Sequence, residues 1–195
     1  MKISDILKNN RVTVSFEVFP PKEWSRIENT RAVVEEMAKS DPAFISVTYG
    51  AAGTRTGFTT EIAQAVKNSG ITPLSHLTCL TSTKDKIESV LDEWKAAGIE
   101  NILALRGDIP DGFEFPDGQH FEHAYELVNV IKEKGGFCIG GACYPEVHPE
   151  SANRVADIQH LKEKVDCGLD FLTTQMFFDN EVFFRFKENC LIKGI

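Results

Sequence analysis

Apolar residues gather in six short runs, VTVSFEVF (12–19), AFISVTYG (43–50), LSHLTCL (74–80), NILALRG (101–107), FCIGGACY (137–144) and FLTTQMFF (171–178), with longer amphipathic stretches between them. Their starts lie roughly 30 residues apart, the length of one strand plus one returning helix. The stretch after the third run predicts a helix opened by the capping-box pattern Ser82-Thr83-Lys84-Asp85, with Ile87, Val90, Leu91 and Trp94 on one face and Gly98 past the last turn. The stretch after the fifth predicts another, with Ser151 as cap, Val155, Ile158, Leu161 and Val165 turned inward, and Gly168 at the stop. Strand and helix in alternation is an α/β signature, and the crossover rule makes the strands parallel.

An open doubly wound sheet and a closed (β/α)8 barrel both fit this alternation. No G-x-G-x-x-G opens a helix after the first run, and Gly50-Ala51-Ala52-Gly53-Thr54 reads as an ordinary flexible loop. Each run instead carries a polar residue toward its C-terminal end: Glu17, Thr48 with Tyr49, His76, Arg106 leading to Asp108, Tyr144, and Gln175. Barrel enzymes collect their chemistry at that end of the strands. The period-2 neighbours Ser15, Ser46, Gly140, Ala142 and Thr173 are small, which predicts space inside the strand ring for a flat ligand. The expected fold is therefore a (β/α)8 TIM barrel. Such a ring has eight strands in about 250 residues, whereas only about six βα units are present here. Residues 1–195 are expected to form one catalytic-type barrel domain, C-terminally short, with two hydrogen-bonding edges facing water unless something covers them.

Composition narrows the function. A chain of 195 residues, 42% hydrophobic, can bury one sizeable core. Twenty-one basic against 29 acidic side chains leave a net charge of −8, which argues against a nucleic-acid surface or an anionic membrane and for small partners. Cys79, Cys138, Cys143, Cys167 and Cys190 form no C-x-x-C pair and are odd in number, so neither a disulfide framework nor a metal knuckle is suggested, and a reducing cytoplasm is expected. The opening MKISDILKNN is too polar for a signal peptide, and no apolar run reaches bilayer-spanning length.

Within VSFEVFPPK, Glu17 is the residue that raises a chemical question. A strand glutamate is ordinarily an exposed edge side chain. Here Pro20-Pro21 ends the strand rigidly and fixes the carboxylate near the barrel mouth, and burial among Phe16, Val18 and Phe19 is expected to keep it protonated near neutrality, as a general acid requires. Asp108, at the start of the loop DIPDGFEFPDGQ, is either a second carboxylate at that mouth or a turn-initiating residue. His76 reads more simply as a satisfied interior histidine than as a metal ligand, since no second His or Cys is placed to share a metal. The loop YPEVHPE, residues 144–150, carries an aromatic ring, an imidazole and two carboxylates, and leads into a helix whose N-terminus suits a phosphate, with Lys164 placed to reach a diphosphate from the side. Phe177, Phe178, Phe183, Phe184 and Phe186 read as core packing.

Taken together, VSFEVFPPK, FISVTYGA, HLTC, NILALRGD, CYPEVHPES and DFLTTQMFFDN resemble, in order and spacing over residues 12–190, the bacterial methylenetetrahydrofolate reductases, flavin enzymes on a (β/α)8 barrel. The resemblance implies reduction of 5,10-methylenetetrahydrofolate to 5-methyltetrahydrofolate in one-carbon and methionine metabolism, with FAD as cofactor and NADH or NADPH as electron donor. It makes Glu17 the general acid, Asp108 a catalytic and folate-contacting carboxylate beside the flavin, and Gln175 a residue that serves folate and nicotinamide in turn. Thr48, Tyr49, Ala51, His76, Arg106, Gly107, Asp108, Ala124, Tyr144, His148, Ser151, Asp157, His160 and Lys164 fall on its FAD-holding positions, and no metal is implied. Three positions depart: His160 where some relatives have asparagine, Glu163 where an arginine approaches the cofactor, and His123 where a tyrosine often precedes Ala124. A carboxylate in place of a cation should weaken the FAD site or reshape its adenylate end. The resemblance implies a folate partner, with a homo-oligomer or an accessory electron-transfer subunit compatible with it. Two other readings stand beside it: a non-catalytic barrel fragment that needs a partner chain, and a different barrel enzyme using Glu17 and Asp108 for hydrolysis or aldol chemistry.

Overall fold

The computed structural model describes residues 1–9, 12–49, 56–109 and 118–195, with backbone alone for residues 56–57. Six parallel strands, β1 (Ser15–Val18), β2 (Phe44–Val47), β3 (Pro73–Thr78), β4 (Asn101–Leu105), β5 (Cys138–Cys143) and β6 (Phe171–Thr174), form one sheet in the order β1-β2-β3-β4-β5-β6. Among the described residues each pairs only with its sequence neighbours, curling into a half-barrel of TIM type. The helices that return between strands are α2 (Ile27–Ala38), α3 (Thr56–Asn68), α4 (Lys84–Ala96), α5 (Ala124–Lys134) and α6 (Arg154–Asp166), with α7 (Asn180–Ile192) following β6. The outer strands are shorter than their apolar runs. Val12 and Val14 lie outside β1 and exposed, and Met176 and Phe178 lie outside β6 and exposed.

Alternation along the strands sorts the side chains into two layers. Val18, Ile45, Val47, Leu77, Ile102, Ala104 and Ile139 face the helices and build the main core with Val34, Ile62, Val66, Ile87, Leu91, Trp94, Leu127 and Ile131. The opposite register crosses the concave side: Glu17 beside Ser46, Ser46 beside Leu74, His76 beside Leu103, Leu103 beside Gly140, and Gly140 beside Phe171. At the N-terminal end of the strands a short helix, α1 (Ile3–Leu7), plugs this concave side. Ile3 and Ile6 pack there with Leu74, Leu103, Cys138 and Phe171. Asn101 ties the plug down, accepting from the Ile3 N–H at 2.8 Å while its amide donates to the carbonyls of Met1 and Pro73 at 3.0 and 3.2 Å.

Several local expectations change in the structure. Thr83, not Ser82, caps α4, its hydroxyl accepting from the Lys86 N–H at 3.3 Å. Asn153, not Ser151, caps α6, accepting from the Ala156 N–H at 3.0 Å, because the chain makes a further turn before the helix begins. Val155 is 72% exposed on the outer face of α6 instead of inward. Of the late phenylalanines only Phe186 is buried; Phe177 stacks on Phe183 at 4.7 Å, while Phe178 and Phe184 are exposed. Phe171 takes the space that Gly140 leaves, its ring only 2.4 Å from where a Cβ would sit, so the concave room lies nearer the strand C-termini than the small residues alone suggest.

Candidate active site

At the C-terminal end of the strands the concave face opens into a cleft of about 940 Å3. Its floor is built by adjacent strands. Glu17 on β1 is anchored by Ser46 on β2, whose hydroxyl donates to Oε2 at 3.2 Å, and His76 on β3 brings Nε2 to 3.6 Å from the same oxygen. The Glu17 side chain is 46% exposed. The expectation of a glutamate buried among Phe16, Val18 and Phe19 is thus corrected: Val18 points to the helix layer, Phe19 is exposed, and alternation sends Glu17 to the concave side. His76 is the buried member. Its Nε2 has no hydrogen-bond partner among the described residues, contrary to a satisfied interior histidine, and burial holds the imidazole below its usual value while Glu17 pulls the other way.

The next wall comes from β4 and the loop after β5. Gly107 has φ +88°, a left-handed conformation that turns the chain away from β4, and a Cβ there would sit 3.2 Å from Thr78. This turn leaves Arg106 half-buried and reaching across the cleft. Its two terminal nitrogens donate to the Glu150 carboxylate at 2.6 and 2.5 Å, and this pairing holds the Glu150 carboxyl below its ordinary range. The loop is wound tightly: Val147 donates its N–H to the Tyr144 carbonyl, Glu150 its N–H to His148 Nδ1 at 3.1 Å, and Ser151 its N–H to the His148 carbonyl. Val147 pays for the winding with φ +76°, a strained setting for a β-branched residue. Tyr144 and His148 meet edge to face at 4.6 Å. The Tyr144 phenol is raised first by burial and then by the charge of Asp108.

Helix α6 supplies the far wall. Asp157, His160 and Lys164 repeat at helical spacing along the cleft with Glu163 beside them. The Ser151 hydroxyl donates to Asp157 at 2.8 Å, and Lys164 Nζ donates to the Ala142 carbonyl at 2.5 Å. Burial lowers the Lys164 ammonium, opposed by Cys143 and Asp157. At the other rim Ala124 opens α5, where Glu126 accepts the His123 N–H at 2.9 Å and the His123 ring stacks on Tyr125.

Glu17, His76, Arg106, Gly107, Asp108, Ala124, Tyr144, His148, Ser151, Asp157, His160, Lys164 and Gln175 therefore all line one cleft. Thr48 and Tyr49 are not among its lining residues. Thr48 accepts the Thr59 hydroxyl on its carbonyl, and Tyr49 packs against the helix-layer core, its phenol raised by burial with the Ser82 hydroxyl acting in the opposite sense. Ala51 lies outside the described residues. Sequence reasoning missed the Arg106–Glu150 clamp, which joins residues 44 positions apart, and the position of Ser46 under Glu17. Period-2 counting had marked Ser46 only as small.

Comparison with known proteins gives a consistent picture. Residues 2–195 match the family model described as methylenetetrahydrofolate reductase. The chain is 38% identical over 186 residues to the 5,10-methylenetetrahydrofolate reductase of Pectobacterium carotovorum, covering 95% of this chain and 61% of that protein, and 38% identical to the Escherichia coli protein of the same description, covering 62% of it. It thus spans about three fifths of the length of these bacterial relatives. Among solved structures, an uncharacterized Clostridium thermocellum protein described as binding two copies of 5-methyl-5,6,7,8-tetrahydrofolic acid superposes with a TM-score of 0.67 at 14% identity, over 98% of this chain and 64% of its own, a likeness of fold.

Proposed function

Because the chain belongs to the methylenetetrahydrofolate reductase family, we propose that its cleft serves the reduction of 5,10-methylenetetrahydrofolate to 5-methyltetrahydrofolate, with FAD as cofactor and NADH or NADPH as donor, in one barrel-type domain of a cytoplasmic enzyme. The observation that carries the reading is Glu17, an anchored carboxyl at the strand C-termini on the floor of a cleft that also gathers Asp108 and Gln175. The residues present fit a flavin dinucleotide. His76 lines the cleft with a largely buried imidazole, Arg106 and Lys164 bring nitrogen donors to it among the described residues, and Asn153 caps the helix that forms its far wall. His76, Arg106, Gly107, Ala124, Tyr144, His148, Ser151, Asp157, His160 and Lys164 would hold the cofactor. Glu163, placed among them, would oppose an anion held there. A bound flavin supplies hydride transfer between the nicotinamide and the folate.

The chain's own residues supply the rest. Glu17 delivers a proton to the folate nitrogen that leaves the methylene bridge, its carboxyl held by Ser46 and open to the cleft on its other side. Asp108, exposed at the mouth, places negative charge where the opened folate becomes cationic. Gln175 presents an amide from the end of β6, where its N–H donates to the Cys143 carbonyl at 2.7 Å. The test is an absorption spectrum of the purified chain after incubation with FAD and removal of excess. A structured bound-flavin spectrum that bleaches anaerobically with NAD(P)H is expected. A colourless protein would favour the reading of a barrel fragment that requires a partner chain.

A further inference from the structure

Two neighbouring strands approach the same oxygen of Glu17. Ser46 Oγ stands 3.2 Å from Oε2, but its single hydroxyl proton also has the Phe16 carbonyl within reach at 3.3 Å. His76 has no such competitor. Its side chain is 10% exposed, its Nε2 is buried without a partner among the described residues, and that nitrogen lies 3.6 Å from Oε2. From β4 the neighbour of His76 is the apolar Leu103, and Glu17 is the charge that acts on the ring. A shift of about 0.6 Å, within the freedom of two side-chain torsions, brings the pair to hydrogen-bond distance.

We propose that His76 is a positioning residue for Glu17: a neutral imidazole whose Nε2–H donates to Oε2, which leaves Oε1 as the oxygen that carries the proton into the cleft. The inference rests on the proposed role of Glu17 as proton donor. In the step, the Oε1–H bond breaks as a nitrogen–hydrogen bond forms on the substrate. The carboxylate left behind keeps the Nε2–H bond and draws the Ser46 hydroxyl away from Phe16, while the imidazole keeps its own proton throughout. A neutral donor stabilises the carboxylate left behind without neutralising it, which favours release of the proton from Oε1 to the substrate.

The geometry is tested without turnover by long-range proton–nitrogen NMR of the imidazoles in the wild-type chain and in Glu17→Gln. At neutral pH the Nε2–H tautomer is expected for His76, and its protonation midpoint should fall in the variant, because the carboxylate that favours the imidazolium is gone. A bare Nε2 with the proton on Nδ1, or a midpoint equal in both chains, overturns the proposal. The role is read in single-turnover folate reduction across the imidazole range. His76→Gln, whose amide can occupy the donor position, should keep the wild-type pH profile, and His76→Leu should displace it while flavin reduction by NAD(P)H changes less. A His76→Leu profile that superimposes on wild type also overturns the proposal. If the wild-type chain shows the Nε2–H tautomer and the coupling yet reduces no folate, the pair stands and the reductase reading falls. Folate reduction without the coupling is the reverse case.

Discussion

At the scale of single residues, the floor of the cleft pairs a carboxyl open to solvent, Glu17, with a buried imidazole, His76. Glu17→Gln keeps the shape and the Ser46 contact but removes the deliverable proton. It should leave flavin reduction by NAD(P)H near wild type and slow folate reduction by about 10²–10⁴-fold in stopped-flow absorbance, the range of a lost general acid; loss of both half-reactions would contradict the role. Burial sets the folded His76 below its usual 6.5, so the unfolded chain binds the extra proton more readily. Its contribution to stability is then present above about 6.5 and is lost as pH falls through the depressed folded value. The melting temperature should drop on acidification from neutrality, and His76→Gln should flatten that slope in scanning calorimetry. Most of this site was legible in the sequence, because Glu17, His76, Arg106 and Gln175 fall toward the C-terminal ends of β1, β3, β4 and β6, and alternation puts Glu17, His76 and Gln175 on the concave register, whereas Arg106 reaches the cleft only through the turn at Gly107. The environment of each was not. Whether Glu17 is buried depends on what its flanking apolar residues cover, and here Val18 turns to the helices and Phe19 to solvent, while whether Arg106 is free depends on a carboxylate 44 residues away.

At the scale of elements, the two helices read best from sequence differed in where they start and, in α6, in the outward side of Val155. The segment Ser151–Asn153 offers two residues able to cap, and local pattern does not choose between them. The structure assigns Asn153 to the helix and Ser151 to Asp157 inside the cleft. Asn153→Ala should therefore cost about 1 kcal/mol, the worth of a lost N-cap, seen as a melting temperature lower by a few degrees. Ser151→Ala should spare the helix and act on ligand affinity, so the two variants separate cap from site. On β5, Gly140→Ala should destabilise by about 1–3 kcal/mol, since a methyl there would meet the Phe171 ring; denaturant unfolding measures it. Helix α1 was missed altogether. Five residues give too short a period to see, and what holds them is Asn101 on a strand nearly a hundred positions later.

At the scale of the whole molecule, the strands form one parallel sheet whose outer members, β1 and β6, each pair on one side only. Apolar side chains collect near both, with Val12 98% and Phe178 91% exposed. The net charge of −8 opposes contact between copies through these borders, and salt weakens that opposition. Sedimentation velocity should therefore show association rising with ionic strength, and a lysine at Phe178 should suppress it. Away from the borders the core is closed. Trp94 is fully buried with its indole N–H donating to the Thr60 hydroxyl at 2.9 Å, and Trp94→Ala should cost about 3–5 kcal/mol in denaturant unfolding.

The neighbour-only strand order also dictates a sequence of events during synthesis. Each βα unit emerging from a ribosome finds its pairing partner already made, so the sheet lengthens in the direction of translation with only short loops to close. The plug is the exception. Ile3 is made before any part of its seat, which is built from Leu74, Asn101, Leu103, Cys138 and Phe171, so α1 finds its place only after the strands that carry them have been made.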